Sequence, residues 1–305
     1  IAQDKTLGSV AKEWFAVKRD QVTPAYAEDV WRSLELHIFP KLKEIAISEI
    51  TAPMVIAVLK PIEAKGSLET VKRVSQGMNE VMTFAVNAGI IFSNPLAGIR
   101  GVFKKPRKQN MPTLPPEELP ILMQAVMTAS IKRVTQLLIE WQLHTMTRPG
   151  EAATTAWADI DLGKRVWIIP AERMKKRRPH AIPLTGQAIA LLEAIKPYSG
   201  HREYVFPSDR NPKTHANAQT ANMALKRMGF EGRLVSHGLR SIASTVLNEK
   251  GWDSELIEVA LAHVDSNDVR SAYNRAEYIE RRRPMMDWWS QHIMEAKKKG
   301  IDLAG

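Results

Sequence analysis

Cysteine is absent from the 305 residues, and so is any long apolar run. Without cysteine, the chain has neither a disulfide framework nor thiolate ligands for a metal ion, and a reducing, intracellular setting fits this composition. No stretch of about 18 apolar residues occurs, and no charged leader with an apolar core opens the sequence, so neither membrane insertion nor secretion is expected. An HExxH motif and a cluster of acidic residues are also missing, so the sequence predicts no metal site.

Acidic residues are outnumbered, because 33 Asp and Glu stand against 43 Lys and Arg, for a formal net charge of +10. This excess predicts a polyanionic partner, with nucleic acid as the first candidate. A basic protein that is merely soluble is the alternative that charge alone leaves open. At roughly 150 residues per domain, the length predicts two domains, each with its own core.

The first hundred residues carry apolar side chains at helical spacing. One series starts at Leu7, a second starts at Tyr26, and a third helix opens at Thr51 with a proline in its first turn. The clearest helix is predicted within residues 67–89, and we predict a helical domain over residues 1–103. The apolar stripe of that clearest helix consists of Val71, Val74, Met78, Val81, Met82 and Ala85.

A basic, proline-rich segment follows, and its lack of periodicity predicts an interdomain linker over residues 104–115. Its charge fits either a solvated tether or contact with DNA.

The second predicted domain, residues 116–305, contains the stretches AWADIDL, RVWIIP and HAIPLT, which predict a small antiparallel sheet among helices. Helix breaks are predicted at Pro197 and Pro284, among other positions. The predicted fold class is therefore mainly α with a small antiparallel β-sheet, an α+β arrangement.

Several motifs of the second domain gather polar side chains at short spacing. In HTMTRPGEAA, Arg148 and Glu151 are three residues apart at a predicted helix start, so the carboxylate can orient the guanidinium. Taken alone, such a pair is most often a surface ion pair worth under ~1 kcal/mol. In SHGLRS, His237 and Arg240 have the same spacing at a helix N-terminus, where anions are favoured. His263 in LAHV ends a helix, where a lone histidine is usually only a C-terminal cap.

Two further motifs are basic or contain tyrosine. The hairpin ERMKKRRPH joins two predicted strands, and a sequence-independent phosphate clamp is the plainer interpretation for most of its basic residues. Those residues are Lys175, Lys176, Arg177 and Arg178. Tyr273 in AYNR shares an apolar helical stripe with Val269, Ala272 and Ala276, so its local pattern alone indicates a structural tyrosine.

The order of these residues along the chain changes that interpretation. An arginine, a lysine, an HxxR pair, a second histidine and a tyrosine together resemble the catalytic set of the tyrosine recombinases. The surrounding motifs TRPGE, RMKKRRPHAIPL, LAH and AYNRAEYIERRRPMMDWW are similar to those of prophage and genomic-island integrases of that family. The resemblance is dense over residues 117–293 and looser over the first hundred residues. The matching positions are Arg148, Lys175, His237, Arg240, His263 and Tyr273.

The resemblance implies a helical, SAM-like domain that binds core-type DNA sites, followed by a catalytic domain with a tail helix. It implies a recombinase that cuts and rejoins double-stranded DNA at attachment sites, integrating or excising a prophage or genomic island without metal, ATP or any cofactor. Integrases of this branch usually carry an amino-terminal arm-binding domain. Because the helical pattern here already starts at Leu7, we expect cleavage chemistry from this chain rather than full recombination.

The family precedent also implies partners and a location. It implies a monomer when free, a homotetramer on two duplexes that passes through a Holliday junction, and accessory DNA-bending or excision factors. It implies a place at the nucleoid in the bacterial cytoplasm, with no membrane contact. Contacts with DNA phosphates are expected from Lys104, Lys105, Arg107, Lys176, Arg177 and Arg178.

The resemblance assigns roles that suit displacement at a phosphodiester. The two arginines would each bind the phosphate through two N–H groups. The tyrosine would attack phosphorus and leave a 3′-phosphotyrosyl link and a free 5′-hydroxyl. Lys175 would protonate the departing oxygen, and His237 would take the tyrosine proton or assist its transfer. His263 would hydrogen-bond the phosphate, and Glu151 would support the arginine or the histidine.

Two other classes of DNA-binding protein would need different residues. A sequence-specific DNA-binding protein without strand exchange would need the charge and the two domains but not Tyr273. A metal-dependent nuclease would need clustered acidic residues, which the sequence does not offer.

The tail is predicted as a helix with one apolar face after Pro284. This face would either pack on its own domain or dock on a neighbouring protomer in the DNA-bound assembly. Its residues are Met285, Met286, Trp289, Ile293 and Met294.

Overall fold

Two separate hydrophobic cores divide the chain into two units, Ile1–Gln109 and Asn110–Gly305. The computed structural model describes residues 5–107, 110–174, 177–263 and 275–302, with side chains in the last stretch from residue 278 onward. No helix in these stretches has both the length and the apolar content needed to cross a bilayer.

The first unit is a bundle of helices, in agreement with the periodicity of its sequence. Thr6 caps the first helix, because its hydroxyl accepts a hydrogen bond from the backbone N–H of Ser9 at 3.2 Å. Thr23 caps the second helix, and Pro24 occupies its first turn, where the missing N–H leaves no helical bond unmade. The described helices are α1 Leu7–Gln21, α2 Pro24–His37, α3 Phe39–Leu42, α4 Ala52–Ala64 and α5 Leu68–Asn87.

The core of this unit forms around α5. All six apolar residues of its predicted stripe are buried. Leu34 of α2 is fully buried in the same core, whereas Tyr26, which opens the second apolar series, is 46% exposed. The stripe of α5 was predictable because every fourth or third position is apolar, which leaves the helix one face to bury.

The second unit surrounds a three-stranded antiparallel sheet with helices. The strands pair in the order β1, β2, β3, and Trp167 lies opposite Ile182 in the register of the central pair. The predicted fold class is therefore confirmed. The described elements are α6 Leu119–Thr128, α7 Arg133–Thr145, α8 Pro149–Ala153, β1 Ile160–Asp161, β2 Val166–Ile169, β3 His180–Pro183, α9 Gly186–Ser199, α10 Thr220–Leu225, α11 Gly238–Glu249, α12 Ser254–Ala260 and α13 Arg275–Asp302.

Aromatic side chains join the sheet to α7 in the core of the second unit. Trp141 of α7 and Trp167 of β2 are both buried, with ring centroids 5.2 Å apart. The indole N–H of Trp141 donates to the hydroxyl of Thr155 at 3.1 Å, so this buried polar group is satisfied. These contacts fix α7 relative to the sheet.

The end of the predicted linker packs against the second unit. The carbonyl of Pro112 accepts from the backbone N–H of Val235 at 3.2 Å, and the hydroxyl of Thr113 donates to the carbonyl of Gly238 at 2.9 Å. Leu114 is buried in the core. A Cβ atom on Gly238 would lie 2.5 Å from the carbonyl oxygen of Pro112, so this close approach requires glycine.

Two predicted helix breaks are wrong. Pro197 lies inside α9, and Pro284 lies inside α13, which continues through it. An interior proline removes a helical hydrogen bond and crowds the preceding turn, at a cost of roughly 3 kcal/mol. Next to Pro284, Met285 and Met286 are almost completely buried. Burial of two such side chains stabilises the helix by about 1.5–3 kcal/mol each, which offsets the cost of the proline.

The apolar face of α13 packs on its own unit. The indole N–H of Trp289 donates to the carbonyl of Leu143 at 2.9 Å, which ties the helix to the end of α7. Met294, which was predicted on the same face, is instead 39% exposed. The structure therefore agrees with the first interpretation of the tail, in which its apolar face packs on its own domain. The buried residues of this face are Met285, Met286, Trp289 and Ile293.

Replacing Trp289 by alanine is expected to lower the free energy of unfolding by about 3–5 kcal/mol, because it leaves a large cavity in the core. Met294→Ala is the matched control on the exposed side of the same helix, with an expected change within ~0.5 kcal/mol. Urea denaturation followed by circular dichroism measures both. Equal midpoints for the two variants would show that the tail contributes nothing to this core.

Candidate active site

Arg148 is placed by a sharp turn between α7 and α8. Met146 has a φ of 55°, which ends α7 and lets the chain reverse, and Arg148 lies immediately before α8. Glu151 binds this arginine twice. Its Oε2 accepts from the backbone N–H of Arg148 at 2.9 Å, and its Oε1 accepts from Nη1 at 2.7 Å. Because the Glu151 side chain is only 5% exposed, it orients the guanidinium with little freedom.

Arg240 is buried in the first turns of α11, with 4% exposure. Its Nη1 donates to the carbonyl of Met146 at 3.1 Å, and its Nη2 donates to the carbonyl of Leu261. The turn that places Arg148 therefore also holds Arg240. His237 comes directly before α11 and is partly buried.

The C-terminal end of α12 is the third side of the site. Its last carbonyl groups have no partner within the helix, and Ala262, with a φ of 49°, turns the chain away. The carbonyl of Leu261 accepts from Arg240, and that of Ala262 accepts from Nη2 of Arg148 at 3.3 Å. A third acceptor, the carbonyl of Ala260, receives a hydrogen bond from His180. We refer to these groups as the carbonyl triplet, namely the carbonyls of Ala260, Leu261 and Ala262.

His263 follows the carbonyl triplet and contacts both a carboxylate and an arginine. Its Nδ1 lies 2.8 Å from Oε2 of Glu258, and its Nε2 lies 3.3 Å from Nη2 of Arg240. Because arginine only donates hydrogen bonds, Nε2 accepts from Arg240 while it is unprotonated, and once protonated it can donate to an anion instead. The His263 side chain is 49% exposed, so it can also meet a ligand that enters the site.

The electrostatics of the site favour an anion. Burial in the first place, and Arg148 in the second, lower the pKa of Arg240 to about 10, so its guanidinium stays charged at neutral pH. Burial, followed by the charges of Arg240 and Arg148, lowers the pKa of His237, so its imidazole is neutral and able to accept a proton. Two guanidinium groups and a neutral base therefore share one small region.

The structure brings together several of the predicted site residues. Three predicted residues, Lys175, Lys176 and Tyr273, lie outside the described residues. Within the described ranges, no group of three or more histidine, aspartate or glutamate side chains is placed to hold a metal ion. The residues that meet at the site are Arg148, Glu151, His237, Arg240 and His263.

The other predicted DNA-contacting residues lie in two exposed segments. Lys104, Lys105 and Arg107 follow the helices of the first unit and are exposed, and the backbone N–H of Lys104 donates to Glu63. Arg177 is exposed in the connection between β2 and β3, and Arg178 beside it is partly buried.

His180 and Glu258 also belong to the site, although the sequence pattern did not single them out. His180 begins β3, and the sequence predicts it only as a strand residue, although it lies within the motif RMKKRRPHAIPL. Glu258 lies five residues before His263, a spacing at which a helical carboxylate can reach back to a histidine that follows the helix. A search for polar residues near the two histidines would have found Glu258. No local signal points to His180.

Comparison with known proteins identifies the family of the chain. The model of the phage integrase family matches residues 112–280, and the model of the phage integrase central domain matches residues 7–102. The first match alone covers more than half of the 305 residues. The chain belongs to the phage integrase family. The integrase is accordingly a site-specific tyrosine recombinase, an enzyme that cleaves and rejoins DNA.

Relatives and solved structures agree with this membership. Prophage integrase IntA of Escherichia coli (strain K12) is 51% identical to the integrase over 302 residues, which are 99% of this chain and 73% of that protein. Prophage integrase IntZ of the same strain is 33% identical over 285 residues, which are 93% of this chain and 70% of that protein. Prophage integrases are thus similar over nearly the whole of this chain.

The fold of the integrase is also that of lambda integrase. A lambda integrase(75-356) dimer bound to a COC' core site has a TM-score of 0.70 at 19% identity, over 86% of this chain and 96% of that one. A lambda integrase tetramer bound to a Holliday junction has a TM-score of 0.70 at 18% identity, over 87% of this chain and 79% of that one. At these identities the likeness shows a shared fold.

Proposed function

We propose that the integrase cuts a DNA strand by attack of the Tyr273 phenolic oxygen on a backbone phosphorus, while Arg148 and Arg240 hold the phosphate. The observation that carries this proposal is the placement of the two guanidinium groups on consecutive carbonyls, those of Leu261 and Ala262. Each guanidinium keeps further N–H groups for a ligand. Two fixed, planar, charged donors side by side suit the non-bridging oxygens of a phosphodiester.

The proton transfers follow from the remaining residues. The bond from the Tyr273 oxygen to phosphorus forms as the bond from phosphorus to the 5′ oxygen breaks. His237 takes the phenolic proton, for which its lowered pKa leaves it neutral and ready. Lys175 gives a proton to the departing 5′ oxygen. His263 hydrogen-bonds the phosphate, and the products are a 3′-phosphotyrosyl ester and a free 5′-hydroxyl.

Rejoining is the reverse of this attack by another strand. Because the phosphotyrosyl ester keeps the energy of the original phosphodiester, a 5′-hydroxyl from a second duplex displaces the tyrosine without ATP. A lambda integrase dimer bound to a core site and a lambda integrase tetramer bound to a Holliday junction have the same fold as this chain. These precedents support a homotetramer of this integrase on two attachment sites, with integration or excision of a prophage or genomic island as the result.

The two units take different parts in this proposal. Residues 1–103 bind the core-type DNA site, which the match to the integrase central domain supports. Residues 104–115 connect them, and residues 116–305 carry the chemistry. The exposed Lys104, Lys105 and Arg107 would contact phosphates, as would the basic residues between β2 and β3. Accessory DNA-bending factors and a place at the bacterial nucleoid complete the proposal.

A nicked suicide substrate tests the proposed function, because loss of a short 5′-hydroxyl fragment traps the covalent intermediate. We expect a protein–DNA adduct that survives denaturing gel electrophoresis and forms equally well in EDTA, since the arginines supply the charge stabilisation. Binding without an adduct would indicate a DNA-binding protein without chemistry. Free cut ends that need magnesium would indicate a nuclease.

DNA affinity is expected to fall steeply with salt, because a protein that contacts about 6–10 phosphates loses roughly 10³–10⁵-fold between 50 and 200 mM salt. The measurement is a salt titration of binding to core-site duplex. A shallow slope would contradict the assignment of the exposed basic residues to phosphate contact.

Lys175→Ala is expected to slow cleavage of ordinary DNA by roughly 10²–10⁴-fold, because it removes the proton donor for the leaving oxygen. A substrate with sulfur at the 5′-bridging position should be cut at nearly the normal rate, since a thiolate leaves without a proton. Lys176→Ala is the matched control: as a phosphate contact it should weaken binding of both substrates to the same extent and keep the ratio of their cleavage rates. Equal losses of rate on the oxygen and sulfur substrates would indicate that Lys175 contacts a phosphate and does not donate this proton.

A further inference from the structure

His180 lies where three elements of the second unit meet. It begins β3 and donates a hydrogen bond to the carbonyl of Ala260, at the end of α12. The next residue, Ala181, accepts a hydrogen bond from Nη2 of Arg282 in α13 at 2.6 Å. The start of β3 is therefore attached on one side to α12 and on the other to α13.

The two ring nitrogens of His180 differ in their surroundings. Nε2 is buried and has no hydrogen-bond partner among the described residues. The bond to the Ala260 carbonyl therefore belongs to Nδ1, which carries the proton. Burial lowers the pKa of His180 to about 3, and the charge of Arg282 acts in the same direction. The imidazole is consequently neutral at neutral pH.

The charged groups around this imidazole are cationic. Besides Arg282, the charges of Arg240 and Arg148 lower the pKa of His180 by smaller amounts, whereas the hydrogen bond to Ala260 raises it. A neutral donor at this place holds a carbonyl without adding a further positive charge beside two guanidinium groups. A lysine or a protonated histidine would repel them.

The carbonyl triplet places His180 in line with the two arginines. The first carbonyl receives His180, the second receives Arg240, and the third receives Arg148. The three carbonyls lie on consecutive planar peptide groups, so a displacement of the backbone at Ala260 also displaces the carbonyls of Leu261 and Ala262. The end of α12 also carries the negative end of the helix dipole, which favours cations there.

We propose that His180 is a positioning residue, which fixes the carbonyl triplet through Nδ1 so that Arg240 and Arg148 meet the phosphate in the correct geometry. The proposal rests on the proposed function of the two arginines. His180 does not touch the phosphate itself, and its effect is exerted through the two guanidinium groups. Displacement of a catalytic group by about 1 Å is enough to slow a reaction by ~10²-fold.

The test compares three substitutions that differ in where they offer a donor. His180→Asn places an amide N–H near the position of Nδ1, His180→Gln places one near the position of Nε2, and His180→Leu offers none. Single-turnover strand cleavage with saturating protein separates the chemical step from DNA binding. We expect His180→Leu and His180→Gln to be slowed at least about tenfold, and His180→Asn to stay within about threefold of the unmodified integrase.

A methylphosphonate at the scissile position supplies a readout that a merely structural role would not change. Replacing one non-bridging oxygen by a methyl group removes the negative charge that the arginines stabilise. On this substrate His180→Leu should be cut at nearly the rate of the unmodified integrase. An equal defect on both substrates would overturn the proposal, as would rescue by glutamine rather than asparagine.

Arg240→Ala in the same assay separates failure of this inference from failure of the proposed function. Normal cleavage of ordinary DNA by Arg240→Ala would refute the role of the arginine itself. A slow Arg240→Ala together with a normal His180→Leu would refute only the positioning role. If His180→Leu does not fold, the asparagine and glutamine variants decide alone, and equal rates for those two would overturn the proposal.

Discussion

Tyr273→Phe is expected to abolish the covalent protein–DNA adduct while leaving DNA binding unchanged. The substitution removes only the phenolic oxygen, which is the atom that attacks phosphorus in the proposed reaction. Trapping on the suicide substrate measures the adduct, and a gel-shift titration measures binding. Both assays are needed, because loss of an adduct through loss of binding would say nothing about the nucleophile.

Tyr278→Phe is the matched control, because it removes the same atom from a tyrosine close by in sequence. The Tyr278 side chain is only 8% exposed, and its hydroxyl donates to Oε1 of Glu255 at 2.6 Å. This variant should lose about 1–3 kcal/mol of stability, because its hydrogen bond is to a carboxylate, and it should keep the adduct. An adduct of normal yield with Tyr273→Phe, or loss of the adduct only with Tyr278→Phe, would show that another residue is the nucleophile.

Arg240→Lys and Arg148→Lys are each expected to slow cleavage by at least ~10²-fold, which is the usual effect of removing one donor to a developing oxyanion. Lysine keeps the charge but is a point donor, so it cannot hold the carbonyl of Leu261 or Ala262 and bind two oxygens of a phosphate at the same time. Affinity for DNA should change little, because the scissile phosphate is one contact among many. Single-turnover cleavage at saturating protein measures the effect.

Arg233→Lys controls for the loss of an arginine elsewhere in the same unit. Its side chain is 53% exposed and pairs with Glu118 at the surface, so cleavage should be unaffected. Arg240 is buried, and its replacement could also weaken the fold, so the unfolding midpoint is measured for each variant. A well-folded Arg240→Lys variant with near-normal cleavage would make this arginine a structural residue.

The contact between Arg148 and Glu151 shows how much of the site the sequence could predict. Residues three apart at the start of a helix face the same side, so a carboxylate there was expected to orient the guanidinium, and the structure has this contact at 2.7 Å. The helices of the first unit were predictable for the same reason, since their signal is a local repeat. Predictions of this kind depend only on neighbours along the chain.

The predicted break at Pro284 failed because local preference was outweighed by tertiary packing. Proline disfavours a helix interior, but Trp289 and the methionines beside Pro284 are buried in the core of the second unit. The carbonyl triplet was unpredictable for a different reason. Backbone carbonyls have no sequence signature, and the side chains they receive are those of Arg148, Arg240 and His180, which are far apart in the sequence.

Peptide mapping of the trapped adduct shows directly whether Tyr273 forms a phosphotyrosyl bond with DNA. After nuclease and trypsin digestion, cleavage at Arg270 and Arg275 gives the peptide SAYNR, whose one tyrosine is Tyr273, while Tyr278 falls in AEYIER. Tandem mass spectrometry of an adduct formed in EDTA is predicted to find the nucleotide on the tyrosine of SAYNR. A nucleotide on any other residue would show that Tyr273 is not the nucleophile, and an adduct that forms only with magnesium would show that the reaction needs a metal ion.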